Sequence, residues 1–220
     1  MSLKITNIGK LVTYNPSSGK VEESTKQEIF ISDDRIAKIG NDVGDAENVV
    51  NAGDGLVTPG FVDSHTHPVF AEVRSDEFAL RAEGKSYQEF AADGGGILST
   101  VRGVCHASED ELVEKVFTRL EKFLALGTTT LEAKSGYGLS VKDELKSLRA
   151  LKRASQRSEV DVVPTFLGAH DFPAEYRDRR DEYISLICEE MIPAVTAENL
   201  AEYCDVFCEK GWFDLEQSRR

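Results

Sequence analysis

Apolar residues follow one rhythm up to about residue 55 and another after it. Short alternating or apolar runs at 4–8, 11–14, 27–32, 35–39 and 49–51 are separated by turn chemistry, such as Asn15-Pro16-Ser17-Ser18-Gly19 and Asp33-Asp34. Such a pattern predicts strands, and residues 1–57 are expected to form a small β-sandwich or partial barrel with a structural role. From Leu56 onward, strands alternate with amphipathic helices, the signature of parallel α/β architecture. The clearest helix spans 108–126. Ser108 and Glu111 make a capping box, and Leu112, Val113, Val116, Phe117, Leu120, Phe123 and Leu124 form one apolar face ending at Gly127.

A β-branched strand is expected at 128–133, then a helix opened by Ser140 with Asp143 three residues on and running to about 157. Further strands are expected at 161–167 and 204–208, with helices at 174–188 and 196–203 between them. Counting a first strand near residue 60, residues 58–220 hold four strand–helix units of a βα barrel. An eight-stranded barrel typically needs about 250 residues. The expectation is therefore the first half of a longer protein, with strand edges left exposed.

Composition narrows the function classes. A net charge of −13 argues against nucleic acid or an anionic membrane as partner, because both select basic patches. No apolar run is long enough to span a membrane, and the first residues carry no secretory h-region. Cys105, Cys188, Cys204 and Cys208 lack disulfide-framework spacing, which predicts free thiols, with Cys204 and Cys208 buried, and a reducing cytoplasmic setting.

The candidate chemistry lies at the predicted C-terminal ends of strands, where βα barrels place their sites. Residues 59–70 run from Pro59-Gly60 through an apolar strand into His65-Thr66-His67. Side chains two apart on a strand share a face about 6–7 Å apart, so both imidazoles can converge on one divalent metal. A chance pairing of two loop histidines is the alternative. His170 ends the third strand and suits a substrate-polarising or proton-handling role. Arg74 has the planar fork for a carboxylate, and Tyr137 lies between Gly136 and Gly138, where a ring can lean into a pocket. His106 reads as structural. Gly94-Gly95-Gly96 lacks the preceding strand of a phosphate loop.

These stretches resemble the imidazolonepropionase family of metal-dependent amidohydrolases. The resemblance rests on PGFVDSHTHPVFAEVR (59–74), GKSYQEF (84–90), GGGILSTVR (94–102), GTTTLEAKSGYGL (127–139), PTFLGAHDFP (164–173) and CDVFCEKGWF (204–213). It implies a TIM-like (β/α) barrel, about four of eight units present, beside a β-sandwich. The implied activity is hydrolysis of the C–N ring bond of 4-imidazolone-5-propanoate to N-formimidoyl-L-glutamate in histidine degradation, with zinc or iron as cofactor. By the resemblance His65 and His67 are metal ligands, His170 is catalytic, and Arg74, Tyr87, Tyr137 and His170 hold the substrate. A carboxylated imidazolone is the implied partner, and relatives of this type often form homodimers. The family's remaining ligands, a histidine and an aspartate, and a proton-shuttling glutamate would fall beyond Arg220. Glu72-Val73 departs from the small residues common before Arg74. The alternatives are a cyclic-amidine deaminase, a cyclic-amide hydrolase, or an inert fragment.

Overall fold

The structure, a computed structural model, describes residues 1–84 and 95–220. The chain divides into two units, Met1–Gly60 and Phe61–Arg220. In the first, a long strand β1 (Ser2–Asn15) organises everything else. Its first half pairs antiparallel with β3 (Glu28–Ser32), from Ser2↔Ser32 to Ile5↔Ile29. Its second half pairs antiparallel with β2 (Lys20–Ser24), across the Asn15–Gly19 turn. β4 (Arg35–Gly40) extends the sheet beyond β3, and β5 (Asn48–Val57) runs parallel to β1. Ile8, Leu11 and Ile29 form its small buried core. The described strands thus make one five-stranded mixed sheet. Strand β2 was not among the predicted runs. Its residues Lys20-Val21-Glu22-Glu23-Ser24 are all exposed, so no buried face imposes an apolar pattern on them.

The second unit is built on a parallel sheet whose spatial order is its chain order: β6 (Phe61–Thr66), β7 (Thr128–Lys134), β8 (Asp161–Ala169) and β9 (Tyr203–Val206). Parallel neighbours need crossovers, and helices supply them. After β6 come α1 (Ser75–Ala82), α2 (Ile97–His106) and α3 (Glu109–Ala125); α4 (Val141–Ser155) follows β7. Between β8 and β9, α5 (Arg180–Leu186) and α6 (Ile192–Ala197) are joined by a π-helical turn, Ile187–Met191.

Helix α3 forms for the reasons its sequence gives. Ser108 and Glu111 make the reciprocal capping box, and Leu112, Val113, Val116 and Leu120 are buried. They pack with Leu131 and Ala133 of β7 and with Ala150, Leu151 and Ala154 of α4. A second cluster under β8 centres on Phe166, Leu148, Tyr183 and Met191, and the buried Tyr183 hydroxyl donates to the Gly168 carbonyl at 2.8 Å. Each such large aliphatic or aromatic side chain contributes roughly 1.5–3 kcal/mol through burial.

Two predicted helices are corrected. The stretch expected at 174–188 is a 3₁₀ turn at Ala174–Tyr176 followed by a helix that begins only at Arg180 and continues to Ala197. The short helix expected at 196–203 is absent from the described structure: helix α6 ends at Ala197, Asn199 adopts a left-handed φ of 50°, and β9 starts at Tyr203. At the sheet edges, Phe61 and Val62 on β6 and Tyr203 on β9 remain exposed. No helix among the described residues is long and apolar enough to cross a membrane.

Candidate functional site

Three strand ends bring four rings together. His65 and His67 come from the end of β6, Tyr137 from the loop after β7, and His170 from the residue after β8. The His65 and His67 ring centroids lie 5.2 Å apart. His170 stacks on His67 at 4.9 Å and 18°, and Tyr137 leans on both, 5.5 Å from His67 and 5.2 Å from His170. Phe207, beyond β9, meets His170 edge-on at 6.1 Å.

Local structure explains why the β6 histidines converge. Thr66 points to the opposite face, where it is buried and its hydroxyl donates to the Glu132 carbonyl at 2.6 Å, pinning β6 to β7. The Asp63 carboxylate accepts from the His65 backbone N–H at 3.3 Å. The segment after His67 is anchored by Val69, which is buried, and by Arg119 of α3. Its guanidinium lies 3.4 Å over the Phe70 ring and donates to the carbonyls of Pro68 and Phe70 at 2.8 and 2.7 Å.

Electrostatics keep the inner rings neutral. Burial, reinforced by the neighbouring His170, His65 and Lys134, pulls the His67 pKa down to about 4. His170 is also lowered, chiefly by burial, against an opposing hydrogen bond to Gly136. His170 Nδ1 lies 2.8 Å from the Gly136 carbonyl. A carbonyl can only accept, so Nδ1 carries the proton and Nε2 of the neutral ring presents a lone pair. His67 Nδ1 is buried without a hydrogen-bond partner. A buried polar atom left unpaired is costly, and a neutral imidazole with a free lone pair is the form that binds a metal. His67 therefore fits a metal ligand, with His65 beside it. Among the described residues no group of three or more His, Cys, Asp or Glu is placed to hold a metal ion.

Close enough to His67 to act on its charge lies a group to which the sequence reading gave no role. Lys134, at the end of β7, is buried and pairs with Glu132 on its own strand and with Asp205 of β9 at 2.8 Å. The two carboxylates hold its ammonium charged, despite a larger opposing effect of desolvation on Lys134 taken alone. The same lysine drives Asp205 below the usual carboxylate range against its partial burial. Also missed was Glu144 of α4, which is fully buried.

The other expected residues fall differently. Arg74 precedes α1 and pairs with Glu77 at 3.5 Å; none of its described contacts is with the four rings. Tyr87 and Gly94 lie outside the described residues, as do most of residues 84–90. His106 ends α2, with Nδ1 2.7 Å from the Arg102 carbonyl, a capping arrangement that suits a structural role. All four cysteines are free thiols, but Cys204, on the edge strand β9, and Cys208, beyond its end, are exposed rather than buried.

Comparison with known proteins adds the following. No family model matches the chain. The imidazolonepropionase of Symbiobacterium thermophilum is 46% identical over 235 residues, covering 100% of this chain and 55% of that protein. That of Solibacter usitatus is 52% identical over 176 residues, covering 80% and 42%. That of Vibrio vulnificus is 46% identical over 221 residues, covering 100% and 54%. The chain thus spans about half the length of the curated relatives it matches. Among solved structures, 5-methylcytosine deaminase from Klebsiella pneumoniae superposes with a TM-score of 0.58 at 16% identity, covering 98% of this chain and 53% of that one. A triazine hydrolase gives a TM-score of 0.53 at 14% identity, covering 86% and 42%. Those two likenesses are of fold.

Proposed function

We propose that this chain, a sequence relative of the imidazolonepropionases over its whole length, carries the histidine pair and the substrate-holding rings of that activity. The reaction is hydrolysis of the C–N ring bond of 4-imidazolone-5-propanoate to N-formimidoyl-L-glutamate. The observation that carries this reading is the convergence of His65, His67, Tyr137 and His170, with Nδ1 of His67 buried among them and without a hydrogen-bond partner. Sequential parallel strand order supports reading residues 58–220 as about four units of a TIM-like barrel; in this reading the five-stranded sheet of residues 1–57 is one layer of a β-sandwich. Four free thiols fit a reducing cytoplasm. The homodimer stays part of this reading.

His65 and His67 would hold the metal, zinc and iron being equally suited to imidazole donors. When bound, it supplies Lewis acidity and a nucleophile at neutral pH. This chain's own residues do the rest. His170 presents Nε2 as an acceptor, so it holds a substrate N–H or takes a proton there. The stacked and tilted rings of His67, Tyr137 and Phe207 wall the His170 imidazole on several sides and restrict where a planar heterocycle can lie. Arg74 grips the propionate carboxylate in exchange for its exposed and loose pairing with Glu77.

Turnover of the imidazolone, by this chain and by any longer reading frame that contains it, tests the proposal. Arg74→Met should then reduce kcat/KM roughly 10- to 100-fold, the worth of a charged hydrogen-bonded pair. Unchanged kinetics would remove the carboxylate from the account. One observation favours a second reading, a chain that binds metal weakly and does not turn over by itself: although His65, His67 and His170 cluster, no group of three or more His, Cys, Asp or Glu among the described residues is placed to hold a metal ion.

A further inference from the structure

Glu144 sits in the first turn of α4 and is completely buried. A buried carboxylate is costly unless its lone pairs are matched. Here its oxygens accept from the backbone N–H groups of Gly136 at 3.0 Å, Gly138 at 2.7 Å and Leu139 at 2.9 Å. The Ser135 hydroxyl also hydrogen-bonds to it. All four donors belong to the five residues 135–139, the loop that carries Tyr137 from β7 into α4.

This loop has little freedom to hold itself. Leu139 adopts a left-handed φ of 49°, which a free segment of this sequence would leave, and Gly136 a φ of 108°, which glycine adopts readily and a residue with a Cβ does not. A Cβ at Gly136 would come within 2.9 Å of His170 Nδ1, so the backbone there lies directly against the ring. The Gly136 carbonyl is the group that accepts from His170 Nδ1. One side chain is thus linked, through one loop, to both the Tyr137 ring and the proton placement on His170.

We propose that Glu144 is the positioning residue of this site, holding loop 135–139 so that Gly136 fixes His170 as its Nδ1–H tautomer and Tyr137 faces the same rings. The role assigned to His170 rests on the proposed function; how its ring is held does not. The site then presents an acceptor, Nε2, which selects a heterocycle that offers an N–H donor over one that offers only acceptors.

Glu144→Gln keeps the shape but turns a donor toward the amide donors of the loop. Glu144→Asp keeps the charge but withdraws it by one methylene. Nitrogen-detected NMR of the histidine rings in the 220-residue chain reads the result, with circular dichroism to confirm folding. In both variants the ratio of Nδ1–H to Nε2–H tautomer at His170 should fall about fivefold or more, the worth of one lost hydrogen bond. His106, held by the Arg102 carbonyl on α2, should not change. If Glu144→Gln does not fold, Glu144→Asp decides by the same readout. A folded variant with His170 still in one tautomer would overturn the proposal, and so would an equal change at His106, which marks general loosening. The measurement requires no turnover, so its failure and that of the functional reading are separate results.

Discussion

Replacing His67 with alanine is expected to lower zinc affinity by more than about 100-fold while the chain stays folded. Losing an outer partner of a metal ligand typically costs about 10- to 100-fold in affinity, and losing the ligand itself must cost more. The fold should survive because the His67 ring gives up only one backbone hydrogen bond, to Ser135, its Nδ1 being unpartnered, and the anchors of the following segment belong to Val69 and Arg119. Equilibrium dialysis against zinc, with circular dichroism as the folding check, measures both. An affinity within threefold of the parent, or roughly 0.7 kcal/mol, would mean that the histidine pair is not a metal site. Turnover by a protein containing this chain should fall in parallel.

The second large effect is expected at Gly138. A Cβ built there would lie 2.4 Å from the Asp143 carbonyl carbon and 2.4 Å from the Glu144 backbone nitrogen. These are backbone atoms at the start of α4, anchored by the Ser140 cap that accepts from Asp143 N–H. They cannot give way as a flexible side chain would, so either the loop or the helix start must move. Overpacking of this kind costs about 3 kcal/mol at the upper end of the usual range. For a chain of this size, that lowers Tm by roughly 6–12 °C. Thermal unfolding of Gly138→Ala measures it, and an unchanged Tm would show that loop 135–139 is not packed against α4 as described.

Much of this fold was legible because local chemistry and tertiary demand agree in it. Helix α3 shows the case: its cap residues, apolar stripe and terminating glycine all point the same way, and the stripe is what β7 and α4 bury. Where the two demands diverge, the sequence misleads. Strand β2 has no buried face to leave a pattern, and residues 180–197 form one helical run whose π-turn no periodicity announces. The expected helix at 196–203 failed because its residues instead lead the chain from α6 into an edge strand.

The site was half legible for a similar reason. The His65-Thr66-His67 spacing on a strand carries its own geometry, so that pair could be found from sequence. Stacking of His170 on His67 could not, because β7 separates their strands in the sheet and only the residues beyond the strand ends lean together. Glu144 was hidden by its position. An acidic residue in the first turn of a helix ordinarily reads as a solvated partner of the helix dipole. Burial arises only when the preceding glycine-containing loop folds back over it, and that loop, Ser135-Gly136-Tyr137-Gly138-Leu139, was the available signal. Lys134 was similarly concealed, since its partner Asp205 lies 71 residues away.

One metal ion should be drawn to the β6 histidine pair. The chain has four histidines, so a single titration can resolve them all. Zinc added to the nitrogen-labelled chain, followed through the imidazole nitrogens, should shift His65 and His67 together at the same midpoint. His170 should move less, through its stack on His67, and His106 should not move. If His65 and His67 remain unshifted, or respond no more than His106, the central claim is contradicted.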